Sequence, residues 1–439
     1  MHRPCRDAGP RALLTFLLCT AVFAMSRAAP VAAHPAYDGT AGVARIDKAR
    51  IDQALGRLVD SGELVGVSAL VWQDGHEAYF GRFGLADREA NRPMARDTLV
   101  QIFSMTKPIT GVALMQQYEQ GKFQLDDPVY KYLPEFTGVR VHGRTDANGQ
   151  PLLLAPQRPI TVRDLMRHTA GFGGNDSPGP VGALYRQADP ESLDHTLEEE
   201  VRRIASVPLE YQPGTRWLYS PAVDVQARLV EVLSGQSFER YLQQHVFAPL
   251  KMKDTRYALR QDDWPRMAAL YRRSDDGVMT RIPDAEAWKI NGRDTARKPG
   301  SWGLVSSLDD YMRFARMLVD EGQLDGARLL QPATVRLMAS DALPGAITDT
   351  SWLPGKGRVG FGIDFAVRTA SPASAAEASG EVGEFFWDGA ANTLFWVDPV
   401  NRITAVLFAQ WMPFGHVPLH KAFRDAVYFD DTSAAAPRD

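Results

Sequence analysis

The chain has 439 residues, of which 45% are hydrophobic and 23% charged, and its formal net charge is −4. This composition is that of an ordinary globular protein with enough apolar residues for a large core. The small negative charge gives no electrostatic reason to expect binding to nucleic acid or to an anionic membrane surface.

The N-terminus has the pattern of a secretory signal peptide. Three arginines precede the apolar run 12–25, and small residues follow it. The run is shorter than the ~20 apolar residues that a membrane-spanning helix needs. We therefore expect residues 1–33 to be a signal peptide, cleaved after Ala33 or after Ala28. The mature protein would then be periplasmic or secreted, without contact to a membrane.

Both cysteines, Cys5 and Cys19, lie in this leader. The mature chain would therefore contain no disulfide and no thiol nucleophile. None of the nine histidines forms a tight metal-binding spacing such as H-E-x-x-H, so we predict no metal and no cofactor. We expect His168 to be a structural hydrogen-bonding residue, although histidine is a common general base.

The first predicted elements are a helix, a hairpin and a second helix. Apolar spacing favours a helix over about 46–61. The runs 65–73 and 76–81 flank Asp74-Gly75, which is a strong signal for a two-residue hairpin turn. The run Ile109–Met115 is apolar nearly all round and predicts a buried helix ending near Gly121.

The middle of the chain predicts helices and long loops. Thr161 with Asp164 and Ser307 with Asp310 have the spacing of capping boxes, which open a short helix up to Gly171 and a longer one up to Gly322. A further helix covers 222–234. The last quarter predicts strands, a flexible loop over 369–380 and a disordered tail at 430–439; the strands cover 359–367, 383–387, 393–397 and 403–409.

Strands at both ends with helices between them favour an α+β fold. Because the strands come as hairpins, the sheet must be largely antiparallel, flanked by helices, with an all-helical domain in the middle. We expect one catalytic domain over 34–429. Its sheet part would comprise about 34–100 and 300–429, and its helical part about 101–299.

Ser104-Met105-Thr106-Lys107 is the most informative motif of the chain. Positions i and i+3 share a helix face, so the Lys107 amine would lie beside the Ser104 hydroxyl at the positive end of the helix dipole. A serine hydroxyl becomes a good nucleophile when an adjacent base takes its proton. The alternative is a serine that caps a helix, followed by a solvated lysine, because a single short motif can occur by chance.

Two further segments carry candidate residues. Tyr219 lies in a loop just before the predicted helix 222–234, and Trp387-Asp388-Gly389 lies in a predicted strand. Trp217 and Trp387 adjoin these segments and could form the wall of a substrate pocket. No G-x-S-x-G motif is present, which argues against an α/β-hydrolase.

Together these motifs resemble the serine β-lactamase and penicillin-binding-protein superfamily, and most closely its class C-like carboxylesterases (family VIII). The resemblance rests on FSMTKPIT at 103–110, YSPAVD at 219–224 and WDGAANTLFWVDP at 387–399. Flanking segments are similar too: LDDPVYKYLPEF at 125–136, LMRHTAGF at 165–172 and GLVSSLDDYMRFARML at 303–318. The resemblance implies the β-lactamase/transpeptidase-like fold and covers nearly the whole mature chain.

The resemblance also implies roles. Ser104 would be the acylated nucleophile, Lys107 would share its proton, and Tyr219 would be the general base, stabilised as a phenolate by Lys107. The backbone amides of Ser104 and Ala390 would form the oxyanion hole, on an edge strand that faces the serine. Trp387, Asp388, Gly389 and Trp217 would contact the substrate.

The chain departs from the β-lactamases of this superfamily at two places. Trp387 and Asp388 stand where those enzymes carry Lys-Thr, and Pro221 stands where they carry asparagine. A negative charge in place of a positive one should disfavour anionic substrates, so the changes favour neutral esters. Asp388 also departs from the Trp-Gly-Gly that the esterases often have.

The sequence therefore predicts a secreted serine hydrolase that cleaves carboxylic esters, with a small-molecule ester or amide as substrate. A β-lactamase, a D-amino-acid peptidase or an acyltransferase of the same fold is an alternative. A non-catalytic sensor of acyl or cell-wall ligands is another, against which the intact Ser104, Lys107 and Tyr219 set argues.

Overall fold

A large antiparallel sheet organises the structure. In this computed structural model, residues 46–146, 151–348 and 357–428 are described. Eight strands form the sheet, and every pair of neighbours is antiparallel. In sheet order they are Val359–Phe361, Ala366–Arg368, Phe385–Gly389, Thr393–Asp398, Ile403–Phe408, Gly66–Gln73, His76–Asp87 and Arg92–Pro93. The predicted antiparallel α+β architecture is confirmed.

Eleven α-helices occur in the described residues, most of them between the two parts of the sheet. They are Lys48–Asp60, Thr106–Glu119, Val162–Met166, Gly179–Ala188, Leu197–Ser206, Ala222–Ser234, Phe238–Leu242, Asp284–Ala287, Leu308–Val319, Pro332–Met338 and Leu419–Val427. Short strand pairs, such as Val141–Thr145 with Pro151–Leu154 and Tyr271–Arg273 with Met279–Arg281, lie among the helices of the middle region.

Both faces of the sheet are covered. Every residue of strands Thr393–Asp398 and Ile403–Phe408 is buried. Because successive side chains of a strand point to opposite faces, this burial requires packing on each side. Helix Leu308–Val319 contacts both strands, and helix Lys48–Asp60 packs against Leu419–Val427 and the first hairpin. The two strands therefore form the buried centre of the sheet.

The local sequence signals explain several of these elements. At the first hairpin, Asp74 and Gly75 have φ of 49° and 79°, the left-handed values that a type I′ turn requires. The capping box of Thr161 and Asp164 is present, since the side chain of each residue accepts a hydrogen bond from the backbone amide of the other. These predictions are confirmed, although this helix ends at Met166 and not at Gly171.

Two predictions about local structure are wrong. The run 359–367 is not one strand, because the chain reverses at Gly362–Asp364 and forms the hairpin Val359–Phe361 and Ala366–Arg368. Asp364 has φ of 56°, which ends an extended run. At the helix Leu308–Val319 only half of the capping box forms. Ser307 caps it, while the Asp310 carboxylate accepts from the backbone amides of residues 254 and 255.

The expected signal peptide at 1–33, both cysteines and the expected tail at 430–439 lie outside the described residues. The loop 369–380 contains neither helix nor strand. Among the residues of the three described ranges, no helix has the length and apolar character to cross a membrane.

Candidate active site

Ser104 lies where a short 3₁₀ turn, Phe103–Met105, continues into the helix Thr106–Glu119. Twelve of the 14 residues of that helix are buried, as its all-round apolar sequence predicts. Phe103 has φ of 45°, a conformation that bulky residues rarely adopt. Backbone strain of this kind is concentrated at functional sites. The surrounding core therefore holds Ser104 at a strained start of a rigid helix.

Lys107 is 4% exposed, and its ammonium group is hydrogen-bonded inside the protein. Nζ donates to Ser104 Oγ at 3.1 Å and to the carbonyl oxygen of Ser301 at 2.8 Å. The hydrogen bond between Lys107 and Ser104 is the i, i+3 contact that the motif predicts. The alternative of a solvated lysine beside a capping serine is wrong, since Lys107 is buried and bonded to the serine oxygen.

Tyr219 forms the solvent-facing side of the same cluster. The centre of its ring lies 4.5 Å from Lys107 Nζ, and its ring contacts Trp217 and Trp387 at centroid distances of 5.9 and 5.6 Å. The side chain is 41% exposed. In the described residues, no hydrogen bond joins its hydroxyl to Ser104 or Lys107. The ring face therefore meets the ammonium, and the hydroxyl is left for solvent or a substrate.

The third predicted segment lies on the strand Phe385–Gly389, and its placement as an edge strand is wrong. The strand pairs with Thr393–Asp398 on one side and with Ala366–Arg368 on the other. The second pairing stops at Phe386 because the neighbouring strand is short. Residues 387–389 therefore extend past it and have the open side that an edge strand would give.

This open end of the strand touches the backbone that leads to Ser104. A β-carbon on Gly389 would overlap the carbonyl oxygen of Ile102, so only glycine permits the approach. Ala390 follows directly, and Asp388, 8% exposed, precedes it. Within the described residues, the amides of Ser104 and Ala390 donate no hydrogen bond to the protein. Two unused amides beside a nucleophile are what an oxyanion hole requires.

His168 lies behind Tyr219, and its predicted role as a hydrogen-bonding residue is wrong. Its side chain is fully buried, and in the described part of the chain neither ring nitrogen has a hydrogen-bond partner. It contacts the rings of Trp217, Tyr219 and Phe361 at centroid distances of 4.8 to 5.6 Å. Burial, and then the charge of Lys107, lower the pKa of His168 well below its usual value. His168 is a neutral part of an aromatic wall.

Sequence reasoning missed three residues behind Lys107. Ser301 supplies the carbonyl that accepts from its ammonium, and Asp224 accepts from the amide and the hydroxyl of Ser301. Asp364 is buried and accepts from Gln226, and burial raises its pKa well above the usual value, although Gln226 and Lys107 lower it. Asp224 lies within the segment 219–224, but no motif marks the other two.

Other features of the described surface do not compete with this cluster. A groove of about 630 Å³ is lined by residues of the ranges 141–143 and 210–216 and does not include Ser104. It adjoins the cluster along the chain, because Trp217 follows Arg216. Across the described ranges, no group of three or more histidine, aspartate or glutamate side chains is arranged to hold a metal ion.

Chemically, the cluster combines an alcohol, a cation and a phenol with two amides that are free to bind an oxyanion. A charged lysine has three donors and no acceptor. A charged Lys107 could therefore stabilise negative charge on Ser104 Oγ but could not take the serine proton, which would need another acceptor. Tyr219 is the remaining group of the predicted set that contacts Lys107. Such an arrangement suits acyl transfer through a covalent intermediate.

Comparisons with known proteins show the family of the chain. The family model described as beta-lactamase matches residues 51–428. The chain is 33% identical over 364 residues to protein Rv1367c of Mycobacterium tuberculosis, covering 81% of this chain and 88% of that protein. It is 30% identical over 399 residues to esterase EstB of Burkholderia gladioli, covering 87% and 95%.

The structure is also similar to solved ones. It matches the structure of EstCE1, described as a hydrolase with promiscuous acyltransferase activity, with a TM-score of 0.71 and 27% sequence identity. That match covers 87% of this chain and 98% of EstCE1. The family match spans all three segments of the cluster, 104–107, 217–219 and 387–390.

Proposed function

We propose that this chain, which belongs to the β-lactamase family, is a serine hydrolase that cleaves carboxylic esters through an acyl-enzyme on Ser104. The observation that carries the proposal is the 3.1 Å hydrogen bond between Lys107 Nζ and Ser104 Oγ, next to the ring of Tyr219. Esterase EstB, to which the chain is similar over nearly its whole length, supports the ester as substrate class.

In acylation, Tyr219 reacts as a phenolate, whose oxygen turns toward Ser104 and accepts the hydroxyl proton while Oγ forms a bond to the ester carbonyl carbon. Lys107 stabilises the negative charge on the phenolate and on Oγ. The carbonyl oxygen becomes an oxyanion and accepts from the amides of Ser104 and Ala390. The C–O bond to the alcohol then breaks, and Tyr219 returns the proton to the leaving oxygen. Water repeats the sequence and releases the acid.

The residues around the nucleophile favour neutral esters. Trp387 and Trp217 both pack against the ring of Tyr219, so a substrate would meet aromatic surface beside Ser104. The strand that approaches the nucleophile carries Trp387 and Asp388 and no lysine, so it lacks a cation that would bind a substrate carboxylate. A β-lactamase or a D-amino-acid peptidase, whose substrates carry a carboxylate, is therefore the less favoured alternative.

Transfer of the acyl group to an alcohol is a second candidate function. EstCE1, described as a hydrolase with promiscuous acyltransferase activity, has a solved structure that matches 87% of this chain. The 41% exposure of Tyr219 leaves room for an alcohol to replace water beside the general base. Product analysis in the presence of a primary alcohol would separate the two reactions, because transfer yields a new ester and hydrolysis yields only the acid.

The proposal is tested by the hydrolysis of a short-chain nitrophenyl ester. We expect turnover by the wild type and a loss of at least ~10⁴-fold in Ser104→Ala, as when a covalent nucleophile is removed. The control is Ser206→Ala, a surface serine whose hydroxyl bonds only to a carbonyl of its own helix. Equal rates in wild type and Ser104→Ala would refute the proposal. A faster rate on a chromogenic cephalosporin than on the ester would favour the β-lactamase alternative, and acylation without turnover would favour a sensor.

We also propose that the protein is exported to the periplasm or the medium. Residues 1–33 would be removed, and residues 34–429 would form the catalytic domain. N-terminal sequencing of the protein from its native host is the test. A first residue just after Ala28 or Ala33 is expected, and a mature chain that keeps Met1 would contradict it.

A further inference from the structure

Three successive backbone carbonyls behind the active site each accept a hydrogen bond from a buried side chain. They belong to residues 299, 300 and 301, referred to here as the 299–301 segment. Their donors are, in order, Tyr257 Oη at 2.6 Å, Thr110 Oγ1 at 2.7 Å and Lys107 Nζ at 2.8 Å. Two of the donors lie on the helix Thr106–Glu119. The segment is therefore hydrogen-bonded to the N-terminal part of this helix, where Lys107 lies.

The 299–301 segment is seated tightly on the helix Ala222–Ser234. A β-carbon on Gly300 would overlap the carbonyl oxygen of Val223, which lies at the start of that helix. This approach is possible only because residue 300 is glycine. The segment thus has little freedom to move relative to the two helices that it joins.

Asp224 holds the last residue of the segment by two hydrogen bonds. Its carboxylate oxygens accept from the backbone amide and from the hydroxyl of Ser301, both at 2.8 Å. Asp224 is 1% exposed, and the guanidinium of Arg297 lies 3.5 Å from it. Arg297 is shared with Glu200, with Nε donating to that carboxyl at 2.9 Å. Burial, and then the charge of Asp224, raise the pKa of Glu200 to about 8, although Arg297 lowers it.

We propose that Asp224 is a positioning residue of the catalytic centre. By fixing both donors of Ser301, it directs the Ser301 carbonyl at Lys107 and so keeps Nζ within reach of Ser104 Oγ. A lysine side chain is flexible, and its ammonium needs a fixed acceptor to stay in one place. The inference rests on the proposed function, since it assigns Asp224 to the reaction at Ser104.

The test is the rate at which a fluorophosphonate labels Ser104 in Asp224→Asn, followed by the steady-state constants with the nitrophenyl ester. The asparagine oxygen can accept from the Ser301 amide, and its amino group can only donate to the Ser301 hydroxyl, so both bonds lose the carboxylate charge that strengthens them. Misplacement of a catalytic group by about 1 Å can cost ~100-fold. We expect the labelling rate and kcat to fall by at least ~10-fold, with KM changed by less than ~2-fold.

The matched control is Asp310→Asn. Asp310 is also buried on a helix and accepts from the amide and the hydroxyl of one residue, Thr255, at 2.9 and 3.0 Å. It has no bond to the 299–301 segment. We expect this variant to lose thermal stability like Asp224→Asn but to keep its labelling rate within ~2-fold. An equal loss of rate in both variants would overturn the inference, because it would reduce the role of Asp224 to general stability.

Ser301→Ala keeps the test decisive if Asp224→Asn fails to fold. It removes only the hydroxyl bond to Asp224 and should slow labelling by about 3-fold, a part of what a hydrogen bond to a charged group contributes, because the amide bond to Asp224 remains. An unchanged rate in Ser301→Ala, or a rate above half of wild type in folded Asp224→Asn, would refute the positioning role. Failure of the proposed function looks different, because the wild type itself would then not be labelled at Ser104.

Discussion

Replacement of Lys107 by methionine removes the ammonium and keeps a side chain of similar length. Nζ has two hydrogen bonds inside the protein, to Ser104 Oγ and to the Ser301 carbonyl, and contacts the face of Tyr219. Loss of a group that assists proton transfer costs about 10²- to 10⁴-fold, which is about 3–5 kcal/mol of activation free energy. We expect kcat to fall by that factor, with KM within ~3-fold.

The free energy of unfolding should change much less. The Ser301 carbonyl loses its donor, at a cost of about 1–3 kcal/mol for a buried unsatisfied group. Removal of the buried ammonium offsets part of this cost, because folding no longer has to transfer a charge from water into the protein interior. We expect Lys107→Met to unfold within ~2 kcal/mol of the wild type, so that a folded but inactive enzyme is measured.

Stopped-flow hydrolysis of a nitrophenyl ester, together with denaturant unfolding, is the assay. Lys122→Met is the control, since its Nζ also donates to a side-chain oxygen and to a backbone carbonyl, at 2.7 and 3.0 Å, away from Ser104. This control should keep its full rate. The expected loss is at least ~100-fold, so a Lys107→Met enzyme with more than ~10% of the wild-type kcat would show that the ammonium does not assist the reaction.

Three further predictions concern the same region. Tyr219→Phe should slow acylation by at least ~100-fold in single-turnover experiments, because the general base is lost, and near-normal acylation would remove Tyr219 from its role. Although burial raises it, hydrogen bonds from Arg158 and Thr161 lower the pKa of Asp164 to about 2. The free energy of unfolding of the wild type should therefore decrease as the pH falls from about 4 through 2. Urea unfolding of Asp164→Asn should show a smaller decrease over that range. An equal decrease in both proteins would contradict this role of Asp164. Burial and the nearby lysine charge lower the pKa of His168 well below its usual value, so its NMR titration midpoint, assigned by comparison with His168→Gln, should lie well below the ~6.5 of an ordinary histidine. A midpoint near that ordinary value would contradict the buried environment.

The sequence identified the elements whose signals are local. Ser104 and Lys107 are three residues apart on one helix, so their contact follows from helix geometry alone. The hairpin at Asp74-Gly75 follows from the residues of its turn. Tyr219 and Trp387 are remote in the chain, and only the resemblance of the motif set to a known superfamily placed them beside the serine.

The features that could not be predicted depend on tertiary contacts. The carboxylate of Asp310 has the spacing of a capping box, but Thr255 from another segment competes for it. The reversal at Asp364 interrupts an apolar run whose periodicity fits a single strand. The Ser301 carbonyl is a backbone group, so no residue type at position 301 reveals that it accepts from Lys107.

Acylation of Ser104 is tested most directly by the mass of the intact protein after brief exposure to a nitrophenyl ester, followed by peptide mapping. We expect one acyl adduct, on the peptide that contains Ser104, and no adduct in Ser104→Ala. An enzyme that hydrolyses the ester while its acyl group is found on another residue, or while Ser104→Ala acquires the same mass, would contradict it.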